Sequence, residues 1–267
     1  MATLTRNWIM AGLIGLLVAC GGGGGGDRAE GVEPGPPPPG QVPPPDPIPP
    51  TPAPAPYAEQ EELVAHFTSA SIDDGGVVTV EFQLTNGEGT AITDLSASNV
   101  RFVISKLQPS ALSSVSGSWQ SYINVVREPV PGFGDGTEAR MQATYERPAE
   151  EEDLVNNGDG TYRYTFAQSI TNLDADVLAQ AETEGLDLNY DASLTHRVSM
   201  QFDGNPNTTA NPYHDWIPAS GASGNVFNMD IAATANCNRC HDPLGIHGGN
   251  RREIQYCVTC HNPGSTD

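Results

Sequence analysis

Residues 237–261 hold one spacing of two cysteines and a histidine twice over, Cys237-Asn238-Arg239-Cys240-His241 and Cys257-Val258-Thr259-Cys260-His261, with few large apolar side chains between them. So short and polar a stretch cannot bury enough apolar surface to build a core of its own. Its shape has to come from something covalent or coordinated. Two thiols separated by two residues, with an imidazole immediately after them, form the arrangement that attaches haem c. The thiols add across the porphyrin's vinyl groups, and the histidine on the same turn reaches the iron. This reading predicts two haems, with Cys237, Cys240, Cys257 and Cys260 as thioether residues and His241 and His261 as proximal ligands. The rings then become part of the core.

Two other arrangements use the same residues. Cys-x2-Cys, sixteen residues, then Cys-x2-Cys lies within the spacing range of a four-cysteine zinc site, and an exported chain can also close such pairs as structural disulfides. A zinc ribbon needs no histidine after either pair, whereas here both pairs have one. A thioredoxin-like role would need βαβ surroundings, which this region lacks.

Six residues past His241 stands His247, in Gly245-Ile246-His247-Gly248-Gly249, where small neighbours let the backbone approach a flat ring. It is the candidate sixth iron ligand, for its own haem or for the neighbouring one. His196 and His214 are weaker candidates, since an imidazole within a β domain is more often simply hydrogen-bonded. Arg251 and Arg252 have the chemistry to pair with haem propionates. Two histidines on one iron leave no open position, which suits outer-sphere electron transfer better than oxygen or peroxide chemistry.

The ends of the chain differ from its middle. Residues 1–20 carry one basic residue, Arg6, an apolar run from Trp8 to Ala19 and then Cys20, which fits a secretory signal too short to span a bilayer comfortably. Leu17-Val18-Ala19-Cys20 looks like a lipobox, with Cys20 as the lipidated residue; the alternative is an ordinary cleaved signal with an incidental cysteine. Export follows from both. Six glycines follow Cys20, and residues 34–56 are dense in proline, so residues 21–56 read as a tether of flexible and then stiffer chain. A net charge of -21, with Lys106 as the one lysine, would repel phosphate backbones and excludes nucleic acid as a partner.

Residues 57–230 read as an antiparallel β barrel or sandwich, Greek-key in style. Val78, Val80, Phe82 and Leu84 alternate within a strand at 77–84, closed by a turn at Asn86-Gly87. Further strands are expected at 100–105, 119–126, 139–145, 161–167 and 196–202, with a single helix at 176–182. Asn157-Gly158-Asp159-Gly160 suits a hairpin turn. It fails as a calcium loop, because Asp153 is not followed by ligands at alternate positions. Neither a nucleotide loop nor a Gly-x-Ser-x-Gly elbow is present, so the chemistry is expected in residues 231–267.

That last segment, with His-Gly-Gly-Asn-Arg-Arg at 247–252 and Gln255-Tyr256-Cys257-Val258-Thr259-Cys260-His261-Asn262-Pro263-Gly264, closely resembles the first haem-binding region of the OmcA/MtrC family of outer-membrane decahaem cytochromes c. The segments Thr195-His196-Arg197-Val198 and Asp215-Trp216-Ile217-Pro218-Ala219 are similar to the end of that family's N-terminal β domain. The resemblance implies a split β-barrel ahead of the haem segment. It also implies a cell-surface lipoprotein that takes electrons from an outer-membrane conduit or other multihaem cytochromes. These would pass to extracellular acceptors such as metal oxides, flavins or electrodes, with terminal metal reduction as a possible extension of the carrier role. Gly21, rather than aspartate, follows Cys20 and agrees with an outer-membrane destination. Family members carry ten haems in two β-plus-haem pairs, so two motifs here imply a fragment of a longer chain. The competing expectation is a lipid-anchored surface β domain whose cysteine pairs bind zinc or form disulfides.

Overall fold

Side-chain alternation and turn chemistry generate most of the architecture. The computed structural model describes residues 53–261 except 111–112, 131, 133–135, 206–210, 231 and 242; Cys20, the signal and most of the tether lie outside them. The strands are β1 (Leu63–Ile72), β2 (Val77–Asn86), β3 (Val100–Ser110), β4 (Ser113–Ser121), β5 (Asn124–Arg127) and β6 (Arg140–Ala143), followed by β7 (Leu154–Asn156), β8 (Thr161–Ser169), β9 (His196–Phe202), β10 (Tyr213–Ile217) and β11 (Ala222–Ser223). They form a four-stranded sheet in the order β1-β2-β8-β7, a five-stranded sheet in the order β11-β10-β9-β3-β4, and the pair β5-β6. Every pairing between these strands is antiparallel.

The Asp73 carboxylate accepts the amides of Gly75 and Val77 at 2.9 and 2.8 Å, turning β1 into β2. In β2, Val78, Val80, Phe82 and Leu84 are fully buried, as the alternation predicts. They face the aromatic positions of β8: Phe82 stacks on Tyr162 at 5.3 Å. From the other sheet, Phe102 of β3 stacks on Tyr164 at 4.4 Å, so the two sheets share one core. Each such ring contributes about 2–3 kcal/mol by burial. The helix α1 (Ala175–Thr183) buries Val177 and Ala181, and its Gln180 Nε2 donates at 2.9 Å to the carbonyl of Ala139, the residue before β6.

The single strand expected at 119–126 is two strands. Ser121 Oγ accepts the Ile123 amide at 3.2 Å, and Asn124 Nδ2 donates to the Ser121 carbonyl at 2.6 Å. These local side-chain bonds compete with the ladder and redirect the chain, burying Tyr122 and Ile123 between β4 and β5. β3 outruns its expected end at 105, because Lys106 and Leu107 are buried as well. Lys106 Nζ donates to the Asn189 carbonyl at 2.6 Å and lies 3.7 Å from Asp187, leaving its side chain 1% exposed.

β9 is buried along both faces. Val198, Met200 and Phe202 enter the shared core. Arg197, Ser199 and Gln201 alternate onto the opposite face and are buried there too. Residues 250–256 lie across that second face: Gln201 Oε1 accepts from Arg251 Nε at 2.8 Å and from the buried Tyr256 hydroxyl at 3.4 Å. Asn211, just before β10, donates to the Asn250 carbonyl at 2.9 Å and accepts the Arg252 amide at 2.7 Å. Among the described residues no helix is long and apolar enough to cross a membrane.

Candidate haem-attachment site

Both Cys-x-x-Cys-His motifs begin on a one-turn helix, α2 (Thr234–Cys237) and α3 (Ile254–Cys257). Their backbones repeat the same bonds. The amides of Cys240 and His241 return to the Cys237 carbonyl at 3.1 and 3.0 Å, and those of Cys260 and His261 return to the Cys257 carbonyl at 3.1 and 2.9 Å. One carbonyl accepting two successive amides curls each pentapeptide into a single turn, which gathers two sulfurs and an imidazole without help from a hydrophobic core. The two helices are tied at their starts, where the Ile254 amide donates to Thr234 Oγ1 at 3.0 Å.

The motifs differ in depth. Cys240 and His241 are exposed, whereas Cys257 and Cys260 are half-buried above Tyr256 and the fully buried Thr259. Burial pushes the Cys257 thiol up; the nearby Arg251 opposes that rise, while Glu253 and the Cys237 thiol add to it. Cys237, Cys240 and Cys257 are free thiols. Among the described residues no three His, Cys, Asp or Glu side chains gather about one point, so the thiols do not form a ready tetrahedral set. Paired thiols on one turn, each pair followed by an exposed imidazole, fit a flat group attached at its edge.

His247 is held by an unusual backbone. Ile246 and Arg251 pair across a tight loop, amide to carbonyl at 3.0 and 3.4 Å, and His247, Gly248 and Gly249 all take positive φ (51°, 82° and 92°). A histidine in the left-handed region costs about 1 kcal/mol, which the paired loop and the two glycines sustain. The result brings His247 to His261, ring centroids 6.0 Å apart and planes inclined by 40°. Among the described residues His241 makes no such ring contact, so the loop carries His247 toward the second motif.

The other candidates fall elsewhere. His196 is buried between Tyr122 and Trp216 with both ring nitrogens bonded within the domain. His214 stacks on Trp216 with ring centroids 5.9 Å apart, and burial lowers its pKa. Arg251 and Arg252 each commit Nε inside the chain, to Gln201 Oε1 and to the Gly249 carbonyl, both at 2.8 Å. Sequence reasoning did not single out Tyr256, Thr259 or Asn211, which seat the second motif; two of them sit beside or within it, but Asn211 lies some forty residues upstream.

An antiparallel β domain followed by twin Cys-x-x-Cys-His turns, the second seated on its five-stranded sheet, has the features of a c-type cytochrome class. The model of the OmcA-like N-terminal domain matches residues 64–223, and the chain belongs to the OmcA/MtrC family of multihaem cytochromes. It is 28% identical over 215 residues to the multihaem cytochrome MtrC of Shewanella baltica (strain OS185), covering 75% of this chain and 28% of that protein. The crystal structure of the outer-membrane decahaem cytochrome OmcA superposes with a TM-score of 0.68 at 32% identity, covering 79% of this chain and 31% of OmcA. The crystal structure of Shewanella baltica MtrC shares the fold with a TM-score of 0.56 at 24% identity, over 77% of this chain and 30% of that one. The chain thus spans less than a third of the relatives it matches.

Proposed function

We propose that the chain is an exported c-type cytochrome segment that carries electrons through two covalently attached haems toward acceptors outside the cell. The observation that carries this reading is the identical turn at Cys237–His241 and Cys257–His261, combined with the placement of His247 against His261 at 6.0 Å. His247 and His261 would hold the iron of the second haem, and His241 would be the proximal residue of the first motif. Haem c, when bound, supplies a one-electron couple. Cys237, Cys240, Cys257 and Cys260 would hold the haems, His241, His247 and His261 would present their imidazoles, and the buried Tyr256 anchors the second motif to the sheet.

In this reading Cys20 bears the lipid, residues 21–56 space the domain from an outer-membrane surface, and electrons arrive from an outer-membrane conduit or another multihaem cytochrome. The acceptors would be metal oxides, flavins or electrodes. A structural lipoprotein with zinc or disulfides at the same cysteines is the reading to be beaten.

The test is expression in a host that attaches haem c, followed by a haem-stained denaturing gel and intact mass. Two covalent haems are expected, falling to one when Cys237 and Cys240, or Cys257 and Cys260, are replaced by alanine. His247→Ala, placed where the second motif holds the sole haem, is expected to convert a low-spin visible spectrum to a high-spin one. Absence of covalent haem beside a well-matured control cytochrome would sink the reading.

A further inference from the structure

The family-like segments around Arg197 and Asp215 meet in the fold as cross-strand partners of β9 and β10. Arg197 has no exposed surface. Its Nε and Nη2 donate to the two oxygens of Asp215, both at 2.7 Å, and Nη2 also reaches Asp230 at 3.1 Å. The rings of Trp119 and Tyr213 lie 4.3 and 4.5 Å from the guanidinium carbon. A planar fork held by a bidentate carboxylate and by aromatic rings is locked in orientation.

The remaining nitrogen, Nη1, donates to the main-chain carbonyl of Gln255 at 3.0 Å. Gln255 lies in α3, two residues before Cys257. In a continuing helix the Thr259 amide would take that carbonyl, but here it bonds to the Tyr256 carbonyl at 3.2 Å. Arg197 stands in for the missing turn, with a charged donor that makes the bond stronger than an amide would. Among the described residues no hydrogen bond from the five-stranded sheet reaches 234–241, so the first motif has no counterpart.

We propose that Arg197 is a positioning residue for the second attachment motif, capping the Gln255 carbonyl so that the turn bearing Cys257, Cys260 and His261 is held against the sheet. The proposal rests on the haem reading for what the turn carries, and on the fold alone for the contact. Arg197→Lys keeps the charge but cannot span Asp215 and Gln255 with one rigid fork.

Hydrogen exchange of the full chain as isolated, resolved by peptide, is expected to quicken severalfold at 257–261 in Arg197→Lys and to stay unchanged at 237–241. In the haem-loaded chain, the same substitution should shift the midpoint potential and low-spin electron paramagnetic resonance where Cys237 and Cys240 are alanine. It should shift neither where Cys257 and Cys260 are. Wild-type exchange at 257–261, or equal shifts in the two backgrounds, would overturn the proposal. If Arg197→Lys does not fold, Asp230→Asn, which loosens one side of the clamp and keeps Asp215, should give a smaller quickening at the same peptide; none would again overturn it. Failure of the unsubstituted chain to take haem would remove the haem reading and leave exchange at 257–261 to decide the contact.

Discussion

The surroundings of His196 favour a neutral ring. Nδ1 donates to the Leu194 carbonyl at 3.0 Å, and in the neutral ring Nε2, 3.1 Å from the Tyr122 oxygen, accepts from that hydroxyl. Burial is the main cause that lowers its pKa to about 4; the Leu194 carbonyl and Asp191 pull it up, and Lys106 pushes it further down. An unfolded chain, with an ordinary histidine pKa near 6.5, then binds more protons than the folded one between about pH 6.5 and 4. Stability from this group is complete above that window and is lost as pH falls through it, by about 3 kcal/mol. From pH 7 to pH 4 the unfolding free energy from urea titration should fall by about that amount more for the wild type than for His196→Gln, carboxylates cancelling in the difference; an equal fall in both would refute the assignment. The imidazole was recognisable in the sequence as a hydrogen-bonding histidine. The role of Arg197 was not, because Asp215 and Gln255 stand 18 and 58 residues away and their approach depends on sheet order.

At the scale of elements, the hairpin between β7 and β8 offers a matched pair of glycines. Gly158 and Gly160 both have φ above 80°, but an added Cβ meets nothing at Gly158, whereas at Gly160 it would come 2.9 Å from the Leu84 carbonyl oxygen and 3.0 Å from Ala91 Cβ. Gly158→Ala should therefore cost about 1 kcal/mol of backbone strain. Gly160→Ala should cost that plus about 1–3 kcal/mol of overpacking, and equal chemical-denaturation midpoints for the two would contradict the packing described. This hairpin and strands β2, β8 and β9 were legible because turn residues and alternation agree there. β1 was not: apart from Leu63 and Phe67 its side chains stay at least partly exposed, so no apolar stripe marks it. β10 was missed because its two buried residues, Asp215 and Trp216, are neighbours that face opposite sides of the sheet, and no period survives in five residues.

At the scale of the molecule, the second face of β9 reads as polar and would be assigned to solvent, yet it is the seat of residues 250–256. The two Cys-x-x-Cys-His motifs, proposed above to attach haem, were plain in the sequence, because such attachment would demand fixed spacing. Their seating was not, since it rests on single hydrogen bonds between distant residues. The burial of Lys106 bears on how the protein can be handled. Its ammonium is the one lysine amine in the sequence, and it lies beneath Asn189 and Asp187. An activated ester at neutral pH should leave it unmodified in the folded protein and acylate it once denatured, as peptide mapping would show; equal acylation in both states would contradict the burial. Surface immobilisation or fluorescent tagging through lysine is then closed to this molecule, and acylation of Lys106 becomes a clock for the opening of the β domain.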